Sequence, residues 1–272
     1  MKFSLLISVY CKEKPEYLRE CLESVFSSTR LPDEIVMVKD GPLTAELDAV
    51  IDSFKEKYDT IKIVALPQNR GLGEALNEGL SHCSHELVAR MDTDDLCIPG
   101  RFEKQLAVFE EKPEVSLVGG YITEFIGEST NIVSTRKVPT EFEALKAYSR
   151  KRNPVNHVTV MFKKADVLEV GSYQKVKDVG YEDYDLWIRL IMADKVICNV
   201  DSVFVNVRVG DDMYRRRGDK KRLKTAIYFR RKLWKMGYYS FFHYLLYSLE
   251  TLVFASVPAS VRKFLYKKIL RK

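Results

Sequence analysis

The chain is poor in the residues that build sulfur–nitrogen metal cages: it has four histidines and five cysteines, Cys11, Cys21, Cys83, Cys97 and Cys198, with no CxxC pair. An odd, scattered set of thiols excludes a disulfide framework and a zinc site, and reads as buried or incidental cysteines of a reducing cytoplasm. A cleavable leader is lacking too. The apolar run Phe3–Val9 is short, leads straight into Lys12-Glu13-Lys14 and is followed by no small-residue cleavage pattern, so it reads as a buried first strand, and no export is expected. There is no internal repeat and no low-complexity linker. The only glycine pair that invites a dinucleotide-fold reading, Gly71-Leu72-Gly73, does not follow the first strand and has Leu76 where a third glycine belongs. Tyr10-Cys11-Lys12-Glu13-Lys14-Pro15 is not the glycine-rich, arginine-bearing loop of a nucleotidyltransferase.

What is present is a globular composition, 46% hydrophobic and 30% charged over 272 residues, enough for a sizeable core. The net charge of +6 hides a division. Residues 214–272 carry 17 Lys/Arg against 2 acids, whereas residues 1–213 carry 27 Lys/Arg against 36 acids. The expected organisation is therefore an acidic body over 1–213 and a basic, aromatic, helical tail over 214–272 that meets an anionic partner.

Strand and helix patterns alternate through the first half. Lys2–Val9, Glu34–Val38, Ile61–Leu66 and Glu86–Met91 read as strands, separated by helices opening at Pro15 and spanning Thr44–Lys57 and Gly71–Cys83. That order predicts an α/β fold with a mostly parallel, doubly wound sheet, and ligands in such sheets bind outside the carboxyl ends of the strands. Ser8-Val9-Tyr10, Asp40-Gly41-Pro42 and Asp92-Thr93-Asp94-Asp95 all fall there. Beyond residue 115 the pattern is mixed, with short strands expected at Val115–Gly119, Tyr121–Ile126 and Ile132–Val138, a strand-like Val158–Phe162, and helices at Glu141–Arg150 and Tyr181–Ala193.

Three carboxylates within four residues repel one another, so a folded site must hold a cation, bury a proton or face water. As a solvated turn the cluster needs no function. At the end of an apolar strand it suits Mg²⁺ or Mn²⁺ with positions left for phosphate oxygens, which would neutralise a leaving diphosphate. Glu182-Asp183 likewise has two readings: an acidic first helical turn favoured by the helix dipole, or a fixed general base that takes a proton from an acceptor hydroxyl. His157 reads either as a structural histidine or as a contact to a diphosphate or acceptor, and Arg215-Arg216-Arg217 either as a solvated run or as a cover for a diphosphate.

Taken in order, Ser8-Val9-Tyr10, Asp40-Gly41, Asn69-Arg70-Gly71, Asn77-Glu78-Gly79, Arg90-Met91-Asp92-Thr93-Asp94-Asp95 and Glu182-Asp183-Tyr184-Asp185-Leu186-Trp187 resemble the family 2 glycosyltransferases over roughly residues 1–210. The resemblance implies the GT-A fold and inverting transfer. It implies contacts of Tyr10 and Asp40 with the nucleotide base, of Asp92 with the ribose and of Asp94 with the metal, and it implies Asp183 as the catalytic base. Ser8, Asn69, Arg90, His157 and Glu182 join the substrate-binding set. Many members carry two acids before the glycine of the second motif; here Lys39 precedes Asp40, so base recognition rests on Asp40 alone. Asn153–His157 and Arg208–Arg217 further resemble a bacterial subgroup that builds capsule, O-antigen and exopolysaccharide repeat units. That implies a UDP-sugar donor, galactose or glucose foremost, and an undecaprenyl-diphosphate-linked acceptor. The alternative is a membrane-recruited nucleotide-sugar binding protein without catalysis.

The tail carries twelve aromatics between Tyr228 and Tyr266. Tyr238–Val257 is long enough to span a bilayer, but Glu250 at depth would cost about 2.5–3.5 kcal/mol. With Arg230-Arg231-Lys232 before it and Lys267, Lys268, Arg271 and Lys272 after it, the expectation is a set of helices lying on an anionic membrane surface. The cations do not interleave with the aromatics, which argues against nucleic acid as the partner. Packing of the helices on the catalytic body is the structural alternative. The expected location is peripheral, on the cytoplasmic face of the plasma membrane.

Overall fold

In the computed structural model, which describes residues 1–174, 176, 180–210 and 220–256, the alternating patterns become the first half of one nine-stranded sheet. β1 (Phe3–Val9) pairs in parallel with β2 (Glu34–Lys39) and β4 (Leu87–Met91), and β2 pairs in parallel with β3 (Ile61–Ala65). β1 is covered on both sides, and all of its residues but Ser8 are buried. Phe3, Leu5, Ile7 and Val9 face a core shared with α1 (Pro15–Phe26), α2 (Ala45–Lys55) and α4 (Arg101–Glu111), while Leu6 faces α3 (Leu72–His82) in a second core.

The second half is mixed, as the irregular pattern implied. The full strand order is β3-β2-β1-β4-β8-β6-β9-β5, with β7 on the side of β6. β8 (Met161–Lys163) runs antiparallel to both β4 and β6, β9 (Val196–Arg208) runs parallel to β6, and β5 (Leu96–Cys97) and β7 (Ile132–Arg136) are antiparallel edges. Two expectations are corrected here. Val115–Gly119 and Tyr121–Ile126 form a single strand, β6 (Val115–Phe125), which keeps its pairing with β9 by shifting register between Gly119 and Tyr121. Val158–Phe162 does not form one strand: His157–Thr159 is a 3₁₀ turn and only then does β8 begin.

The helices α5 (Phe142–Tyr148), α6 (Lys164–Glu169) and α7 (Glu182–Met192) complete the body. α8 (Lys220–Lys235) and α9 (Phe241–Ser256) follow, and Phe229, Leu233, Tyr239 and Tyr247 join the core that contains Tyr184, Leu186 and Trp187 of α7. Among the described residues no helix is long and apolar enough to cross a membrane. Arg215-Arg216-Arg217 and the terminal cations Lys267, Lys268, Arg271 and Lys272 lie outside the described residues.

Candidate functional site

β4 ends at Met91 and delivers the acidic cluster where the strand pattern predicted. One carboxylate oxygen from each of Asp92, Asp94 and Asp95 lies within 4.8 Å of the others. The three acids are held differently. Asp92 is half-buried and ion-paired with Arg90, whose side chain is buried. Asp95 is buried and accepts the backbone N–H of Arg208 at 2.9 Å, so it ties the cluster to the end of β9. Asp94 is half-buried with its carboxyl pushed up to about 7, first by burial and then by the charges of Asp92 and Glu13. Burial and the neighbouring acids push Asp95 up as well. A crowded set of hard oxygen donors that resists ionisation is what a divalent cation would relieve, so the residues fit such an ion.

Arg208 is fastened from several sides. Its Nε donates to the Asp94 carbonyl at 3.2 Å, its guanidinium lies 4.0 Å from the Tyr17 ring centroid and 4.7 Å from that of Phe125, and it pairs with Glu20. Thr93 donates its hydroxyl to Glu13 at 2.6 Å, which fixes the loop after β1 beside the cluster.

Glu182 and Asp183 open α7, as the acidic first turn predicted. Tyr181 before them is left-handed, with φ 74°, an uncommon conformation for a non-glycine residue. Asp183 Oδ2 accepts a hydrogen bond from Asn153 Nδ2 at 2.6 Å. Burial raises the Asp183 carboxyl; the Tyr184 N–H, Asn153, Arg90 and Arg136 act against that rise. Burial, then the charge of Asp183, raises Glu182, and Arg90 again opposes. Arg90 is thus ion-paired with Asp92, and its charge also favours the ionised forms of Glu182 and Asp183. Two of its buried nitrogens, Nε and Nη1, have no hydrogen-bond partner among the described residues.

His157 belongs to the same neighbourhood but is engaged with the protein. Its Nε2 lies 3.0 Å from the Tyr173 hydroxyl and its ring meets the Trp187 ring edge-on at 5.9 Å. Burial, and then Arg90, pushes its pKa well below the ordinary range, which favours the neutral ring. Tyr173, Glu13, the contacts of Arg208 with the acid cluster and Asn153's bond to Asp183 did not emerge from the sequence, although Arg208 and Asn153 stand in segments that carry the subgroup resemblance. Glu13 had a signal, an acid at the carboxyl end of β1, whereas Tyr173 had none.

Asp40 follows β2, which lies across β1 from β4 in the sheet. It is buried, and its carboxylate accepts Asn69 Nδ2 at 2.9 Å, the Arg70 N–H at 2.7 Å and the Gly71 N–H at 3.0 Å. It thereby fixes the loop that leads into α3. A Cβ on Gly73, in the first turn of α3, would lie 3.5 Å from Glu182 Cβ, so this loop and helix reach the second acid pair. Ser8 is half-buried in β1, and Tyr10, just beyond the strand, is exposed. Asn69 is exposed on its loop.

The family model described as "Glycosyl transferase family 2" matches residues 4–169. The chain is 40% identical over 266 residues to the amylovoran biosynthesis glycosyltransferase AmsE of Erwinia amylovora, covering 98% of each chain. It is 35% identical over 271 residues to the UDP-Gal:alpha-D-GlcNAc-diphosphoundecaprenol beta-1,3-galactosyltransferase of Escherichia coli, covering 100% of this chain and 97% of that one. Among solved structures, S. aureus TarS 1-349 in complex with UDP-GlcNAc shares the fold, with a TM-score of 0.59 at 20% identity. The alignment covers 80% of this chain and 65% of TarS 1-349, under two thirds of its length.

Proposed function

The chain belongs to glycosyltransferase family 2, and from that membership we propose that it is an inverting, metal-dependent hexosyltransferase of bacterial surface polysaccharide synthesis. It transfers galactose or glucose from a UDP-sugar to a saccharide linked through a diphosphate to undecaprenol. The observation that carries the reading is one buried arginine shared by two acid sites: Arg90 is ion-paired with Asp92 of the cluster that follows β4, and its charge favours the ionised forms of Glu182 and Asp183 at the start of α7. The E. coli relative's name supplies the donor and the acceptor class, and the identity extends over both chains.

In the proposed reaction Asp183 takes the proton of an acceptor hydroxyl while that oxygen attacks the anomeric carbon. The bond from the anomeric carbon to the β-phosphate oxygen breaks, and UDP leaves. Asn153 orients the carboxylate of Asp183 and favours its ionised form. Asp94, with Asp92, would hold a Mn²⁺ or Mg²⁺ ion, which supplies charge neutralisation at the leaving diphosphate. Tyr10, Asp40 and Asn69 form the side toward the base, with Ser8 at the strand end. Asp92 meets the ribose, and Arg90, His157 and Glu182 line the sugar and acceptor side. The body over 1–213 is the catalytic part and 214–272 the tail.

The enzyme works as a peripheral protein at an anionic membrane surface, on the cytoplasmic face. Support comes from α9, which packs Tyr247 and Ser248 inward and leaves Phe241, Phe242, Leu245, Leu246, Leu249, Leu252 and Val253 exposed, Phe242 to 70% and Leu249 to 59%. At 100° per residue these seven fall on one side of the helix, and Glu250 falls at its rim. The exposed Arg231 and Lys235 on α8 match anionic headgroups.

The deciding experiment uses the full chain with Mn²⁺, a panel of UDP-sugars and a lipid-diphosphate-linked GlcNAc acceptor, and follows UDP release. One UDP-hexose should turn over, and Asp183→Asn should lower kcat by roughly 10²–10⁴ while UDP with Mn²⁺ still protects against thermal unfolding. Full turnover in Asp183→Asn sinks the base assignment. UDP binding without transfer in the wild-type chain sinks the enzyme reading.

A further inference from the structure

α8 meets α7 at the end that carries the acid pair. Asp185, two residues after Asp183, is fully buried and has two cationic partners: Arg189 Nε at 2.9 Å on the same helix, and Lys232 Nζ at 2.5 Å from α8. Arg189 already balances the charge of Asp185, and its remaining nitrogens donate to the carbonyls of Val170 and Ser172. Lys232 adds a second cation to Asp185, and because it comes from another helix the ion pair ties α8 to α7. Buried ionic contacts of this kind are weak sources of stability, and fixing one arrangement is the role left to it. One turn earlier on α8, Phe229 packs its ring on Tyr181 and Tyr184, with centroids 4.8 and 5.0 Å apart. It holds the left-handed residue immediately before Glu182.

The turn after α8 holds the segment that leads to Asn153. Tyr238 Oη lies 2.5 Å from Ser149 Oγ, Tyr239 donates its hydroxyl to the Arg150 carbonyl, and Tyr184 donates its own to the Ser149 carbonyl at 2.6 Å. Three residues beyond Arg150 is Asn153, the hydrogen-bond donor to Asp183. α8 and its turn therefore hold both the helix that bears Asp183 and the segment that bears its partner.

We infer that α8 and its turn position the carboxylate of Asp183 for the reaction, with Lys232 as the positioning residue that acts on α7 and Tyr239 as its counterpart that acts on the Asn153 segment. The tail is then part of the active-site framework as well as a surface for partners. This inference rests on the reading of Asp183 as the base.

The test uses the full chain with Mn²⁺, the UDP-hexose that turns over best among UDP-galactose and UDP-glucose, and a detergent-soluble, short-chain GlcNAc-diphosphate lipid, so that membrane binding does not enter. Lys232→Met is expected to lower kcat at least tenfold, with the donor KM within twofold of wild type and UDP protection unchanged. Lys232→Arg is expected to restore most of that loss, and Tyr239→Phe to lower kcat three- to tenfold with the same unchanged KM. Wild-type kcat in Lys232→Met, or a raised KM with kcat intact, overturns the inference. So does a loss in Lys232→Arg as large as in Lys232→Met. If Lys232→Met fails to fold, Tyr239→Phe decides alone, and unchanged kcat there is the refuting result. Asp183→Asn runs in parallel: full turnover in that variant removes the base reading, whereas its inactivity beside a normal Lys232→Met removes only the positioning role.

Discussion

At the scale of single residues the proposed chemistry turns on how Asp183 is held. A base works ionised, and burial raises the Asp183 carboxyl, so the acid limb of a pH–kcat/KM profile should lie above the ordinary carboxylate range of about 4. Asn153 favours the ionised form through its hydrogen bond, and Asn153→Ala should therefore move that limb to higher pH and lower kcat; a limb that stays in place would mean that Asp183 does not govern it. His157 gives a prediction of opposite sign. Its folded pKa is depressed, so the native state favours the neutral ring, and the stability this contributes is present above the unfolded value of about 6.5 and is lost as pH falls below it. His157→Gln should flatten the fall in stability between about pH 7 and 5, measured by denaturant unfolding. The roles of these acids were only partly legible in the sequence. Asp92–Asp95 could be placed because a strand end fixes where a short loop points. That Asp95 would face the backbone of Arg208, 113 residues away, depends on a long-range pairing that no local pattern carries.

At the scale of elements, the motif Asn77-Glu78-Gly79 acquires a packing reason. A Cβ on Gly79 would lie 2.5 Å from Leu6 Cδ1 and from Val38 Cγ2, so α3 lies close on β1 and β2 because this position has no side chain. Gly79→Ala should cost about 1–3 kcal/mol, read as a lower denaturation midpoint, because two buried side chains must move in a packed core. An unchanged midpoint would show that the core yields there. The parallel half of the sheet was legible because β1, β2 and β4 are runs of mainly apolar residues, interrupted by Ser4 and Ser8, by the terminal Glu34 and Lys39, and by Arg90. The later half was less so. Gly119-Gly120 read as a break between two strands, yet Gly119 sits where a Cβ would lie 2.7 Å from Val155, a place of close approach inside one continuous strand. β9 went unread because Asn199, Asp201 and Ser202 interrupt its apolar alternation, although its pairing with β6 runs nearly its full length. α4 was missed as well: its apolar positions Phe102, Leu106 and Phe109 are interspersed with charge.

At the scale of the whole molecule, the basic tail serves two sides. The sequence offered a membrane helix and a helix packed on the body as alternatives, and the described part of the tail packs on the body through Phe229, Leu233, Tyr239 and Tyr247 while α9 presents an apolar outer face. Composition could not separate these faces, since aromatic residues supply both. Replacing Phe242 and Leu249 by serine removes only exposed groups, so the thermal midpoint should stay within a few degrees of wild type while binding to vesicles containing anionic phospholipid falls at least tenfold in a sedimentation assay. Undiminished binding would sink the membrane proposal. Salt should weaken the wild-type interaction, because the cationic part of it is screened over about 8–10 Å at physiological ionic strength.

The outer face of α9 also sets the variable that would limit turnover. An enzyme seated on a bilayer by that face searches for its lipid-linked acceptor in two dimensions, so its rate follows the number of acceptor molecules per unit of membrane area and not their number per volume of solution. Adding inert phospholipid at constant acceptor amount should then slow the wild-type enzyme by surface dilution, and the Phe242→Ser/Leu249→Ser variant, no longer confined to the plane, should lose that dependence.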